Sequence, residues 1–193
     1  MKRISTDAEY LNSGKIVIDA DGIPVDLGYR GTGSPEGKVA APVGSVYTDT
    51  AATNGAIRWI KSSGTGNTGW QVEYGDTGWR VWDNVAGGIK SGRVLIRRKN
   101  SKVYIHFDNL TPENAGINIS LNRLPVGFRG EGLSNRWVML NGISTVPDFY
   151  IGNVSALGYA NIYGEFSKEP VLTGTADYLT DEAWPTSLPG TPA

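Results

Sequence analysis

The chain has 193 residues and a mass of 20.7 kDa, which fits one large domain or two small ones. Its formal net charge of −1 argues against a dedicated nucleic-acid-binding protein, and no apolar run approaches the roughly 18 residues of a membrane span. It has no cysteine and one histidine, His106, which excludes disulfides, thiolate zinc sites and a multi-histidine metal site within one chain. We therefore expect no cofactor and no metal.

Glycine and proline decide the fold class, because both residues interrupt helices. The chain has 26 glycines and 10 prolines, and only residues 1–13 and 93–111 form stretches longer than ten residues without either. The second stretch alternates like two strands rather than repeating like a helix. The sequence therefore predicts an all-β protein. The first residues carry charges but no apolar stretch, so we expect no signal peptide.

The first part of the chain predicts a small aromatic β unit preceded by an N-terminal segment. Residues 1–36 carry too many turn signals to form a core alone, and we expect them to run extended or to pair with other chains. Residues 44–49, 56–61 and 70–74 are predicted strands. Residues 64–69 match the dinucleotide-binding spacing GxGxxG, but a strand rather than a helix follows them, so we predict a hairpin loop.

The stretch 93–107 is predicted to form a β-hairpin. Val103, Ile105 and Phe107 would share one face of the second strand, and Tyr104 and His106 the other. A turn at residues 99–101 would join the strands, with Asn100 in the left-handed conformation. His106 is therefore expected to face solvent, although in a trimer three copies of it could meet and bind a metal ion.

The remaining chain predicts a β-sandwich or barrel. Strands are expected at 117–121, 137–140, 149–151 and 160–166, and turn glycines recur about every ten residues. A linker is predicted at residues 86–88. The predicted organisation is thus an extended N-terminal segment at 1–36, a small Gly/Trp-rich β domain at 37–86, and an antiparallel, jelly-roll-like β-sandwich head at 87–193.

Two segments resemble a known class of protein. Residues 41–70 contain APVGSVYTD, TNGAIRWIK and GTGNTGW, and residues 178–190 read YLTDEAWPTSLPG. Both resemble tail proteins of tailed bacteriophages, above all phages of actinobacteria and other Gram-positive hosts. The run LPVGFR at residues 124–129 is similar to the β-rich heads that close such proteins.

The resemblance implies a tail-fibre or receptor-binding protein located in the virion tail. It further implies a homotrimer without enzymatic activity, attached to other tail proteins through its N-terminal segment. The expected partner is host cell-wall polysaccharide or teichoic acid, with no nucleic acid and no membrane insertion. Such proteins often carry collagen-like or coiled-coil shafts, and this sequence has neither repeat. The alternatives are a purely structural tail-tip component and a wall-polysaccharide depolymerase.

Aromatic residues are the candidates for glycan contact, because aromatic faces stack on sugar rings while Asp, Asn and Arg hydrogen-bond to hydroxyl groups. In the predicted head, the candidate ligand-binding residues are Asn135, Arg136, Trp137, Asp148, Phe149, Tyr150, Tyr159 and Tyr163. A second cluster contains four tryptophans, which would pack within or between chains or form a stacking surface: Trp59, Trp70, Trp79 and Trp82.

Charged residues offer two further hypotheses. Arg97, Arg98 and Lys99 at the predicted hairpin tip could attract an anionic wall polymer such as teichoic acid, or simply be solvated. Asp177, Asp181 and Glu182 are close in sequence, as a glycosidase would require of its carboxylates in space, but sequence proximity does not establish that separation. We expect a last strand there rather than a catalytic centre.

Overall fold

The computed structural model describes the backbone of residues 14–18, 24–82, 89–113, 118–130, 136–143, 148–154, 158–163 and 170–193. Within these ranges the chain forms strands, turns and irregular segments and no helix, which confirms the predicted all-β class. The chain divides into two compact units, Met1–Gly75 and Asp76–Ala193.

The first unit is built on a five-stranded sheet whose strands follow one another in chain order. The strands are β1 (Gly14–Ile18), β2 (Pro24–Gly31), β3 (Val46–Asp49), β4 (Ala56–Lys61) and β5 (Trp70–Gly75). Neighbours are antiparallel except β2 and β3, which run parallel. Residues 1–36, expected to form an extended segment, therefore contribute two strands to this sheet, since β2 pairs with β3.

Aromatic rings pack on one face of this sheet. The ring centroids of Tyr29 and Tyr47 lie 6.3 and 6.1 Å from that of Trp70, both in edge-to-face geometry. Trp59 is 5% exposed and lies opposite Tyr47 in the β3–β4 pairing. Aromatic pairs of this kind contribute stability beyond the area that they bury. Two of the four clustered tryptophans therefore serve as core residues of the first unit.

The ammonium group of Lys61 is buried beneath the loop between β4 and β5. Its Nζ donates hydrogen bonds to the carbonyl oxygens of Gly66, at 2.8 Å, and Thr68, and lies 5.8 Å from the centroid of the Trp70 ring. Glu36 accepts a hydrogen bond of 2.8 Å from the backbone N–H of Trp70, where the loop ends. Two charged side chains thus fix the predicted hairpin loop.

We expect Lys61→Met to lower the free energy of unfolding by about 1–2 kcal/mol, because methionine keeps the apolar stem but leaves the two carbonyl groups without their donor. Urea unfolding followed by tryptophan fluorescence measures the loss. Lys38→Met, which changes an exposed lysine of the same unit, is the matched control. Equal unfolding midpoints for the two variants would show that the buried ammonium group does not hold the loop.

The second unit contains one nine-stranded sheet in the order β14-β6-β7-β8-β13-β10-β11-β12-β9, with every pairing antiparallel. Its strands are β6 (Arg80–Val81), β7 (Ile89–Lys99), β8 (Lys102–Pro112), β9 (Asn118–Arg123), β10 (Arg136–Ile143), β11 (Asp148–Val154), β12 (Tyr159–Tyr163), β13 (Val171–Leu179) and β14 (Thr191–Pro192).

Strands β7 and β8 form the predicted hairpin. Their pairing runs from Lys99 opposite Lys102 to Ile89 opposite Pro112, and Asn100 has the expected left-handed φ of 53°. The alternation of β8 is also confirmed, because its core-side residues are at most 1% exposed: Val103, Ile105 and Phe107. The opposite set of side chains is therefore left at the solvent face of the sheet.

One hydrophobic cluster joins strands that are far apart in the sheet order. Val94 of β7 and Phe107 of β8 belong to the same buried cluster as Leu121 of β9 and Ile162 of β12. A flat sheet cannot bring these strands together, so the sheet folds back on itself around one core. This is the sandwich-like arrangement that the sequence predicts.

The boundary between the units lies before the predicted linker at 86–88. Arg80 and Val81 pair with Ile96 and Leu95, so β6 belongs to the sheet of the second unit. The last residues of this chain also pack against β6, because β14 pairs with β6 and the Arg80 guanidinium donates to the carbonyl oxygen of Pro189 at 2.9 Å. The predicted separation of residues 37–86 missed this pairing, which depends on residues about 15 and 110 positions away.

Candidate functional site

The eight residues predicted for glycan contact fall on three neighbouring strands, with one exception. Asn135 lies outside the described residues. Arg136 and Trp137 begin β10, residues 148–150 (Asp148, Phe149 and Tyr150) begin β11, and Tyr159 and Tyr163 begin and end β12. Since β10 pairs with β11 and β11 with β12, the structure brings these segments into one part of the sheet.

The register separates these positions into two alternating sets. Arg136, Asp148 and Tyr150 occupy the set that includes the buried Ala160 and Ile162. The other set contains Trp137, Phe149, Tyr159 and Tyr163, and Tyr159 is 43% exposed. The assignment of these residues to ligand binding stays a prediction.

A different group of polar and aromatic side chains lies on the outer face of β7, β8 and β13. Alternation on β8 places Tyr104 and His106 outward, and the register puts Asp177 opposite Tyr104 and Thr175 opposite His106. Trp79, which immediately precedes β6, completes the group. We call these five residues the aromatic platform.

Trp79 lies across the sheet. Its ring centroid is 6.3 Å from the rings of both Tyr104 and His106, at interplanar angles of 65° and 61°. Trp79 enters from the β6 side of β7, whereas its two ring partners are on β8, so its indole crosses over β7. Leu95 of β7 is consequently only 9% exposed, although it lies opposite His106 in the outward set.

Two ion pairs flank the aromatic rings. The Arg97 guanidinium donates to Asp76 through Nε, at 2.8 Å, and Nη2, at 2.5 Å, while its Cζ lies 6.0 Å from the Trp79 ring centroid. Lys102 Nζ lies 2.7 Å from Asp177 Oδ2 and 5.3 Å from the Tyr104 ring centroid. The platform therefore presents aromatic rings between hydrogen-bonding groups.

The same contacts shift the pKa values of the paired groups. The hydrogen bonds from Arg97 lower the pKa of Asp76, and the same interaction raises the pKa of Arg97. Its hydrogen bond to Asp177 raises the pKa of Lys102. Each shift favours the charged form of its group, so Asp76, Arg97 and Lys102 remain ionised at neutral pH.

His106 is fixed by its strand neighbour. Its Nδ1 and the Oγ1 of Thr175 are 2.8 Å apart, which sets the ring orientation. Among the described residues no group of three His, Asp or Glu side chains could hold a metal ion. The arrangement fits recognition of hydroxyl groups through a half-exposed imidazole beside an indole.

Arg97, Arg98 and Lys99 at the hairpin tip do not form the exposed cationic cluster that was one of the two interpretations of the sequence. Arg98 is 6% exposed, and its guanidinium lies 4.9 Å from the Trp184 ring centroid. It donates to the carbonyl oxygens of Asn100, Gly127, Glu182 and Ala183 at 2.8 to 3.0 Å. Alternation along β7 explains the difference, because neighbouring residues face opposite sides of a strand. Arg98 is therefore structural and cannot meet a polymer in solution.

The acidic residues near the end of β13 also have structural partners. Glu182 Oε2 accepts hydrogen bonds from the backbone N–H groups of Gly127, at 2.6 Å, and Arg129, at 3.2 Å. Asp177 belongs to the platform and pairs with Lys102. Glu182 thus fastens the loop after β9 to the C-terminal part of the chain, a role that sequence proximity did not reveal.

The first unit carries a groove of about 640 Å³ on the outer side of β2, β3 and β4. Its polar side chains are Ser45, Thr48 and Arg58, and the Arg58 guanidinium is paired with Glu73 at 2.8 Å. Val43 at its rim is 59% exposed. The groove is mainly a backbone and aliphatic surface, without the aromatic and hydrogen-bonding combination of the platform.

Sequence reasoning recognised two parts of the platform but not their combination. The alternation of β8 indicates that Tyr104 and His106 face outward, and Trp79 was one of the clustered tryptophans. Nothing local to residue 79 shows that its ring crosses to β8, or that Thr175 and Asp177 lie beside it, because these contacts depend on the β6–β7 and β8–β13 pairings.

No family model matches the chain, and no curated protein matches it. Among solved structures, it is similar to the crystal structure of the head domain of phage bIL170, reported in connection with the receptor-binding domains of lactococcal phages. The two chains are 16% identical with a TM-score of 0.38, over 56% of this chain and 99% of that one. The described part of this chain holds no helix that could span a membrane.

Proposed function

We propose that this chain is a receptor-binding protein of a phage tail, which adsorbs the virion to glycan on the host cell surface without catalysing a reaction. The resemblance of residues 41–70 and 178–190 to phage tail proteins supports the viral role. The proposal includes a homotrimer attached to other tail proteins through its N-terminal segment, and both features rest on that resemblance.

The aromatic platform is the observation that supports glycan binding. Sugar rings present C–H groups that pack on aromatic faces, and their hydroxyl groups need donors and acceptors nearby. Trp79 and Tyr104 supply the apolar surface, and His106, Thr175 and Asp177 supply the polar atoms beside it. From β6 to β13 there are three interstrand steps, or about 14 Å, enough for a short oligosaccharide.

We expect Trp79→Ala to weaken glycan binding about tenfold, since a stacked aromatic ring contributes roughly 1–1.5 kcal/mol. The measurement is binding of the full chain to an array of bacterial saccharides, followed by titration of the strongest ligand. Tyr159→Ala is the comparison variant, because it removes an exposed aromatic of the β10–β12 region instead. Circular dichroism of both variants confirms that the fold is retained.

Three outcomes would contradict the proposal in different ways. Loss of binding in Tyr159→Ala but not in Trp79→Ala would transfer the site to the β10–β12 region. Failure of the wild-type chain to bind any saccharide or host cell would favour the purely structural tail-tip role. Shortening of the bound polysaccharide, abolished by an Asp→Asn change, would favour the depolymerase.

A further inference from the structure

The charged side chains at and beside the aromatic platform nearly neutralise one another. Two guanidinium nitrogens of Arg97 donate hydrogen bonds to Asp76, and Lys102 Nζ lies 2.7 Å from Asp177 Oδ2. Among the described residues, Lys99 is the remaining cation at this end of the outer face and lies opposite Asp76 in an isolated bridge. Three cations of the described chain thus face two carboxylates there, a local excess of one positive charge.

Both ion pairs direct their cations, Arg97 and Lys102, toward carboxylates of the protein. Asp76 approaches Arg97 from the chain before β6, and Asp177 approaches Lys102 from β13. Both cations also lie against platform rings, Arg97 near Trp79 and Lys102 near Tyr104. A phosphate group would have to compete with a carboxylate that is already in contact, and it would be repelled by that carboxylate as well.

An uncharged saccharide avoids this competition. It can stack on the rings and hydrogen-bond to His106, Thr175 and the second oxygen of Asp177 without breaking either ion pair. Anionic polymers are attracted where cations lack protein partners, as in the Arg and Lys clusters that bind phosphate. Beside the platform, Arg97 and Lys102 do not meet that condition, and Lys99 lies opposite Asp76.

We infer that the aromatic platform selects uncharged saccharides over phosphate-bearing wall polymers such as teichoic acid. The inference rests on the proposed glycan-binding function. Of the two expected partners, polysaccharide and teichoic acid, it selects the uncharged polysaccharide. Because an uncharged ligand is held by stacking and short-range hydrogen bonds rather than by attraction between charges, binding is also expected to be insensitive to salt.

The test compares ligand classes directly with the full chain. The probes are an array of neutral bacterial saccharides and a purified glycerol-phosphate teichoic acid, each measured at 50 and 500 mM NaCl. We expect Trp79-dependent binding to neutral saccharides that changes less than twofold between the two salt concentrations. Trp79-dependent binding to teichoic acid that falls tenfold or more at high salt would overturn the inference and leave the glycan-binding function standing.

A charge variant sharpens the comparison. Asp177→Asn releases Lys102 from its partner and should raise teichoic acid binding at least fivefold at 50 mM NaCl. Glu73→Gln changes the net charge equally but frees Arg58 in the first unit, and it should produce no gain. Equal behaviour of the two variants would contradict the inference. If the wild-type chain binds no saccharide of either class, the proposed function fails and the inference fails with it.

Discussion

Arg98→Ala is expected to lower the free energy of unfolding of the second unit by about 3–5 kcal/mol, because it leaves four carbonyl groups without their charged donor. The guanidinium connects the hairpin tip, the loop after β9 and the chain after β13 through carbonyl groups of Asn100, Gly127, Glu182 and Ala183. Burial lowers the pKa of Arg98 to about 10, so the group is still protonated at pH 7 and donates all of these bonds.

Arg93→Ala provides the matched control for this prediction. Arg93 lies on the same strand, but its side chain is 53% exposed and its ion pair with Asp108 is at the surface. Surface pairs of this kind contribute about 0–1 kcal/mol. Chemical unfolding followed by circular dichroism compares the variants, and a loss below 1 kcal/mol in Arg98→Ala would contradict a structural role for Arg98.

Gly92→Ala is expected to prevent folding of the second unit or to destabilise it by more than about 3 kcal/mol. Gly92 has a φ of +94°, which L residues rarely adopt. A Cβ atom there would lie 2.3 Å from the carbonyl oxygen of Asn109 and 2.6 Å from the Cα of Leu110. Both are backbone atoms of the paired strand β8, so the clash cannot be relieved by turning a side chain.

Gly78→Ala separates the two causes of that effect. Gly78 also has a positive φ, of +65°, but a Cβ atom built on it meets nothing within 4 Å. It should therefore show only the conformational cost of about 1 kcal/mol. Thermal unfolding measures both variants, and comparable losses would show that backbone conformation alone, rather than close strand approach at Gly92, sets the cost.

Local patterns predicted the elements whose evidence lies within a few residues. The β7–β8 hairpin has alternating core residues and Asn100 at its turn, and both features are encoded locally. Strands β3, β4 and β5 of the first unit were predicted for the same reason, whereas β1 and β2 lie in residues that were expected to form an extended segment. The pairing of β14 with β6 could not be predicted this way, because two-residue strands carry no periodicity and gain their stability from contacts distant in sequence.

In the candidate site, too, some features are encoded locally and others depend on contacts distant in sequence. Outward positions of β8 follow from alternation, but the neighbours that make them a platform come from β13 and from the chain before β6. Arg98 illustrates the converse. Beside Arg97 and Lys99 it looks like part of a solvated basic tip, and only the fold shows that carbonyl groups from three segments surround it.

The separation of the platform from the core determines which residues can change without loss of the fold. β6 is only two residues long, and the platform side chains belong to the outward set of β8 and β13, whereas the core is built by the inward set. Under the proposed function, substitutions at His106 or Thr175 would therefore alter glycan recognition while leaving the interior packing in place. A few single-codon changes would then suffice to change the polysaccharide that the protein binds, without first restabilising its fold.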